Sequence, residues 1–162
     1  MQDVKTAPRR SIGFTELKEK YLPHRYPLLL LDRVTHYVPG EFIEGVKCVT
    51  GNSPEMVGHF PERAILPGTA ILQAFAQLAI VFLKVSSAGL RDDELTLISS
   101  ISARFLAPVP PGETLVLRIT PKRMTSEMGI LNCDARIGDK SVARGSLTIS
   151  KAKLERFTDV PW

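Results

Sequence analysis

The sequence predicts an α+β domain in which an antiparallel sheet curves around one long, buried central helix. Residues 114–121 and 131–137 alternate between apolar and polar side chains, which is typical of antiparallel strands with one buried face. Residues 69–83 instead form an Ala- and Leu-rich run without Gly or Pro. Such a run predicts a helix that is apolar on nearly every side and is therefore buried.

The N-terminal elements follow from caps, breakers and turn residues. Residues 1–13 are polar and predict a flexible arm, which leaves residues 14–162 as a single domain. Thr15 is placed to cap a short helix that ends near Tyr21, before Pro23. The next two segments are rich in β-branched residues and are divided by a Pro-Gly dipeptide, which predicts a hairpin. These segments are residues 28–38 and 42–50.

The C-terminal half adds further strands. Residues 98–105 predict one strand and residues 142–149 another, with a Gly138-Asp139 turn before the latter. The total is about five or six strands around one helix. A single sheet leaves edge strands unpaired, so we expect a second copy of the chain to pair with it.

Composition and charge limit the classes of protein. The chain has 162 residues, 44% hydrophobic and 23% charged, with a net charge of +4. Neither a membrane span nor a secretory signal is predicted, since no apolar run reaches about 18 residues and none follows the basic residues near the start. We therefore expect a cytoplasmic protein in which Cys48 and Cys133 are reduced.

The same inventory bears on ligands. The basic residues are scattered and lack interleaved aromatic residues, so nucleic acid is not an expected partner, whereas an acidic protein partner stays open. The His and Cys residues are too dispersed for a zinc site, and no Gly-rich phosphate loop is present. The sequence therefore predicts no metal and no nucleotide cofactor.

The segment from Gly58 to Gly68 is the best candidate for chemistry. It places His59 in a loop bounded by Gly and Pro that leads directly into the apolar helix. A histidine there can act as a general base, and the free N–H groups of the helix start can receive charge from a carbonyl oxygen. A packed structural histidine is the alternative that the residues leave open. His24 and His36 are expected to be structural or surface residues.

Several motifs together resemble the hotdog-fold 3-hydroxyacyl-acyl carrier protein dehydratases of fatty acid synthesis. The motif Gly-His-Phe-Pro at 58–61 is followed by Pro67-Gly68 and by Gln73-Ala-Phe-Ala-Gln77 on the helix. Further matches are Leu-Pro-His-Arg-Tyr-Pro at 22–27, Leu-Asp-Arg-Val at 31–34 and Ala-Arg-Phe at 103–105. The resemblance covers roughly residues 15–150 and implies the hotdog fold.

The resemblance implies a role for each matching position. His59 would remove the C2 proton of a 3-hydroxyacyl thioester, and the amide of Gly68 would bind the thioester carbonyl. Phe60, Pro67 and Gln77 would line the substrate site. The product would be a trans-2-enoyl thioester, and no cofactor is implied.

Position 73 departs from the family pattern, because Gln73 stands where the family has a carboxylate that assists departure of the 3-hydroxyl. A glutamine donates and accepts hydrogen bonds but cannot deliver a proton. Four interpretations follow. His59 shuttles the proton alone while Gln73 orients a group; the chain is a thioesterase or isomerase; it is a weakly active binding subunit of a mixed dimer; or Gln73 and Gln77 merely satisfy each other and a facing helix.

The resemblance also implies partners. Substrates would arrive on acyl carrier protein or coenzyme A, and the chain would form a homodimer or a higher even oligomer. The carrier protein is acidic in this family, so the positive charge of the chain is consistent with docking.

Overall fold

The computed structural model describes residues 10–87, 90–91 and 93–157, which form one antiparallel sheet and one long helix. The seven strands lie side by side in the order β1-β2-β3-β5-β6-β7-β4. Their bounds are β1 Arg10–Ile12, β2 Arg33–Val38, β3 Phe42–Cys48, β4 Glu94–Phe105, β5 Thr114–Met124, β6 Met128–Ile137 and β7 Lys140–Lys153.

The helix α2, Gly68–Ser86, packs on the inner face of the sheet. Its burial confirms the predicted central helix, because nearly all of its apolar side chains are enclosed. On the sheet, Leu115, Leu117 and Ile119 are each 0% exposed, as their alternation predicts. Gly45 on β3 lets the helix approach, since a Cβ there would lie 2.9 Å from Leu78 Cδ1. By length and hydropathy α2 could cross a membrane, but most of it is buried within this fold.

The N-terminal region differs in detail from the sequence prediction. Arg10–Ile12, placed in the arm, pairs with β2 as strand β1, and the side chain of Ile12 is 2% exposed. This strand brings the total to seven instead of five or six. The rest of the predicted arm, residues 1–9, lies outside the described residues.

The short helix is present but begins differently. Helix α1, Phe14–Glu16, continues as a π-helical turn over Leu17–Tyr21, so the predicted end is confirmed. The cap residue is Gly13 with no side-chain hydrogen bond, so the prediction that Thr15 caps the helix is wrong. Packing of fully buried Leu17, rather than a cap, stabilises this segment.

The hairpin and the later strands confirm the predicted segments with shifted ends. Gly40 at the first turn and Gly138 before β7 have φ of 76° and 55°, a backbone region that glycine enters without strain. The first predicted strand is shorter than expected, because β2 starts only at Arg33. Before it, Leu28 and Leu30 bond to side chains of α2, and Asp32 bonds to a strand, its N–H donating to Val46 O of β3 at 2.8 Å.

Candidate active site

His59 lies in a loop between a 3₁₀ turn, Pro54–Met56, and α2. The loop is held by its own main chain. The His59 N–H donates to Met56 O at 3.4 Å, and the Ile65 N–H donates to His59 O at 3.0 Å. Between them, Phe60 and Arg63 exchange two N–H···O bonds of 3.3 and 3.1 Å. The backbone of the candidate base is therefore fixed before any substrate binds.

The imidazole of His59 is half-buried and oriented by Ile65. Its Nδ1 lies 3.1 Å from Ile65 O. A carbonyl oxygen only accepts, so the hydrogen of the neutral ring resides on Nδ1 and the lone pair on Nε2. The ring stacks on Phe60 with 4.2 Å between centroids and 26° between planes. This is the tautomer and the orientation that a general base requires.

The start of α2 supplies an N–H donor close to this loop. Gly68 is the first residue of the helix and Pro67 is its cap, so the Gly68 N–H has no partner within the helix. Leu66, which precedes the cap residue Pro67, is anchored, since its N–H donates to Val109 O at 2.7 Å. Ile65, which holds His59, is three residues from Gly68, so one short segment positions both groups.

Phe105, the last residue of the Ala-Arg-Phe motif at 103–105, lies against the start of α2. A Cβ at Gly68 would lie 2.6 Å from Phe105 Cζ and 2.8–2.9 Å from its Cε atoms. Position 68 must therefore be glycine for this ring to cover the helix start. The ring itself remains 53% exposed, which places an apolar wall beside the Gly68 amide.

The two glutamines of α2 bind main chain rather than each other. Gln73 Nε2 donates to Leu28 O at 2.9 Å, and Gln77 Nε2 donates to the same oxygen at 2.6 Å. Gln77 Oε1 accepts from the Leu30 N–H at 3.0 Å, and this side chain is 0% exposed. Together they fasten residues 28–30 to the helix. We refer to this arrangement as the amide clamp.

The amide clamp bears on two sequence-based expectations. One alternative was that the side chains of Gln73 and Gln77 bond to each other. This is wrong, because both bond to the main chain of Leu28 and Leu30 instead. The assignment of Gln77 to substrate binding stays a prediction, since both ends of its amide are occupied by main chain. Gln73 is only half-buried, so it is the member of the clamp that is open to a ligand.

A buried ion pair fastens the His59 loop to the sheet. Lys47 Nζ on β3 lies 2.8 Å from Glu55 Oε1 in the 3₁₀ turn, with side chains 6% and 15% exposed. Sequence reasoning missed this pair. Lys47 shares a strand face with the buried Ile43 and Gly45, but a face that combines isoleucine, glycine and lysine is not marked as buried by the sequence alone.

The other titratable candidates lie elsewhere. His36 on β2 packs edge-on against Phe42 with 4.8 Å between centroids, and His24 lies in the loop that follows Tyr21. Cys48 is an exposed free thiol; Cys133 is a buried one, and burial raises its pKa to about 12. Within the described ranges, no cluster of His, Cys, Asp and Glu is arranged to hold a metal ion. The candidate site therefore consists of an imidazole oriented by Ile65 O and the unpaired N–H at the start of α2.

Comparison with known proteins shows the family of the chain. The FabA-like domain family matches residues 22–146. The chain is 39% identical over 147 residues to a coronafacic acid dehydratase of Pseudomonas savastanoi pv. glycinea, covering 90% of this chain and 88% of that protein. It is also 39% identical over 147 residues to the 3-hydroxyacyl-[acyl-carrier-protein] dehydratase FabZ of Macrococcus caseolyticus, covering 90% and 97%.

A solved structure shows the same fold. The dehydratase heterocomplex ApeI:P of Xenorhabdus doucetiae contains a chain that superimposes with a TM-score of 0.68 at 18% identity, covering 87% of this chain and 96% of that one. The antiparallel sheet around a single long helix is thus the hotdog fold, as the resemblance implied. With the family match spanning most of the fold and both sequence relatives aligned over nearly their whole length, the chain belongs to the FabA-like domain family.

Proposed function

We propose that this protein is a hydro-lyase that removes water from a 3-hydroxyacyl thioester to give a trans-2-enoyl thioester. The observation that carries the proposal is the orientation of His59. Its Nδ1–H is committed to Ile65 O, so Nε2 is free to act as the base. The relatives named as dehydratases support the same chemistry.

Two groups of the protein would carry out the reaction. Nε2 of His59 takes the C2 proton while the Gly68 N–H donates to the thioester oxygen, on which negative charge develops. The C2–H electron pair then forms the C2–C3 double bond as the C3–O bond breaks. The imidazolium returns its proton to the departing hydroxyl group, which leaves as water. Proton and electron pair balance without a cofactor.

In this scheme Gln73 positions neighbouring groups and does not protonate the leaving hydroxyl group. Its amide N–H is used on Leu28 O, and an amide has no proton to deliver at neutral pH. The family resemblance places a carboxylate at this position, and losing a general acid typically costs about 10²- to 10⁴-fold in rate. His59 must therefore serve as both base and acid here, and we expect a modest turnover rate.

The proposed active form is a homodimer joined through β4. This strand forms one edge of the sheet and is 12 residues long. Its side chains Leu97, Ile101 and Phe105 are 38%, 37% and 53% exposed, which is unusual for an edge strand facing water. Sedimentation at working concentration should give about twice 17.9 kDa, and Ile101→Lys should give a single chain.

The substrate carrier is proposed to be acyl carrier protein or coenzyme A, in the cytoplasm. The relatives include a dehydratase named for carrier-protein substrates, and the net charge of +4 suits an acidic carrier. Carrier-bound substrate should be processed more slowly as salt rises, because screening slows the encounter of opposite charges. Equal rates at low and high ionic strength would contradict carrier docking by charge.

The deciding experiment follows the absorbance of the enoyl product from 3-hydroxybutyryl thioesters of both carriers. We expect product from the wild-type protein and a loss of about 10²- to 10⁴-fold in His59→Ala. His36→Ala is the matched control, because it removes the same ring from strand β2. Far-ultraviolet circular dichroism checks that both variants are folded.

Three outcomes would overturn the proposal. One is equal rates in His59→Ala and the wild-type protein. Another is no product from the wild-type protein together with product from Gln73→Glu, which would indicate a binding subunit that lacks only its acid. Release of free thiol without enoyl product would instead indicate a thioesterase.

A further inference from the structure

A groove of about 440 Å³ lies at the C-terminal end of α2. The π-helical turn, the loop at residues 22–25, the end of α2 and the start of β4 line it, and neither His59 nor Gly68 does. Lys84, which lines the groove, follows Gly68 by 16 residues on the same helix. At 1.5 Å per residue the two positions are about 24 Å apart, so the groove is not the site around His59.

The carboxylates of the groove are already paired. Glu19 Oε1 lies 3.1 Å from Lys18 Nζ. Glu94 Oε1 lies 2.9 Å from Arg91 Nη2, and the Glu94 side chain is only 8% exposed. Neither carboxylate is therefore free to neutralise another cation of the groove.

Among the described residues, two further cations of the groove donate to main-chain carbonyls. Lys84 Nζ donates to Tyr21 O at 2.7 Å, which uses one of its three hydrogens. Arg25 Nη1 donates to the carbonyls of Leu22 and His24 at 2.9 and 2.8 Å. Partial burial also lowers the pKa of Lys84, because desolvation disfavours the charged ammonium group. Among the described residues that line it, the groove thus has more cations than carboxylates, and Lys84 keeps two N–H donors beyond the one that it uses.

The walls beside these cations are apolar. Ile80 on α2, Leu95 on β4 and Leu90 face the groove, together with Leu22. A ligand that matched both features would carry one negative charge on an aliphatic body, because each part would meet its complement. Inorganic phosphate lacks an apolar body to contact these walls, and a neutral lipid lacks a negative charge to pair with Lys84.

We propose that this groove binds a medium-chain aliphatic carboxylate, whose head group lies on Lys84 and Arg25 and whose chain lies against Ile80, Leu90 and Leu95. The ligand bonds would be charge-assisted hydrogen bonds from the ammonium and guanidinium groups. The groove would thus be a second ligand site, and binding there would not depend on turnover at His59.

Isothermal titration calorimetry with octanoate tests this, with acetate and octanol as probes of head group and chain alone. We expect saturable octanoate binding by the wild-type protein and no saturation by acetate or octanol at the same concentrations. Lys84→Met should weaken octanoate binding at least tenfold. Lys122→Met, which removes an exposed lysine from β5, should leave it unchanged.

Two further variants keep the test decisive. Arg25→Gln changes an exposed side chain and should weaken binding severalfold even if Lys84→Met does not fold. His59→Ala should bind octanoate as the wild-type protein does. The proposal fails if Lys84→Met and Arg25→Gln bind normally, if octanol binds as well as octanoate, or if His59→Ala abolishes binding. Because the readout is heat rather than turnover, inactivity of the protein would not decide it.

Discussion

The amide clamp predicts unequal and coupled losses of stability when its two glutamines are removed. Gln77→Met keeps the length of the side chain but deletes both of its bonds to residues 28–30. The Leu30 N–H, in a residue that is 7% exposed, then loses its acceptor. Leu28 O loses one donor but keeps Gln73.

The magnitude follows from these partners. A buried N–H without a partner costs about 1–3 kcal/mol, and the lost bond to Leu28 O adds about 1 kcal/mol. We therefore expect Gln77→Met to lower the free energy of unfolding by about 2–4 kcal/mol, or the melting temperature by about 5–15 °C. Gln73→Met should cost only about 0.5–1 kcal/mol, because Gln77 still serves Leu28 O.

The double variant tests the sharing of one acceptor. With both donors gone, Leu28 O has no side-chain partner, so the double variant should lose about 0.5–1 kcal/mol more than the sum of the single variants. Urea unfolding of the four proteins at one fixed protein concentration measures this, since assembly also affects apparent stability. Additive losses, or equal losses from the two single variants, would refute the clamp.

Three other perturbations have outcomes set by the structure. Gly68→Ala should cost about 1–3 kcal/mol and reduce turnover, because its Cβ meets Phe105; adding Phe105→Leu should recover stability in thermal melts. Glu55→Leu should cost about 3–5 kcal/mol in urea unfolding by stranding the Lys47 ammonium, and the double variant with Lys47→Met should be more stable than Glu55→Leu alone. Burial lowers the pKa of His24 below its ordinary 6.5, so below this pH the unfolded chain binds more protons than the folded one. The free energy of unfolding should therefore fall as the pH drops below 6.5, and it should fall less steeply in His24→Asn.

The parts of the fold that were readable from the sequence are those governed by local periodicity. Strands β5 and β6 and helix α2 each bury a face that repeats along the chain, so pattern and structure agree. Strand β1 was missed because three residues are too few to show a period, and its burial depends on pairing with β2. Leu17 likewise stabilises α1 through tertiary packing rather than through a cap.

Strand β3 shows why a mixed pattern is hard to interpret. Ile43, Gly45 and Lys47 share a face, and neither glycine nor lysine marks that face as buried in the sequence alone. The structure supplies both reasons, because Leu78 occupies the space over Gly45 and Glu55 neutralises Lys47. Both partners are distant in sequence or lie in an irregular turn, so no spacing rule predicts them.

The candidate site stays a prediction, and the sequence supports it where one short segment holds its parts. His59 and Gly68 are nine residues apart, and Pro61 and Pro67 between them, with Gly58 and Gly68 at the ends of the segment, indicate a fixed path. The tautomer of His59 was not predictable, since it depends on the main-chain oxygen of Ile65. The role of Phe105 was hidden for a similar reason, as it reaches Gly68 from strand β4.

The residue at position 73 affects both the proposed reaction and the packing of residues 28–30 on α2. An ionised carboxylate there would face Leu28 O, an acceptor, and would have no hydrogen to donate, whereas the amide of Gln73 donates to it at 2.9 Å. A glutamine is therefore suited to hold the segment 28–30 against α2, a task that a charged acid performs poorly. If turnover depends on His59 alone as base and acid, then the part of Gln73 would be to hold the segment 28–30 in a fixed position. The amide would then act through position, while His59 alone would take the C2 proton and return it to the leaving hydroxyl group.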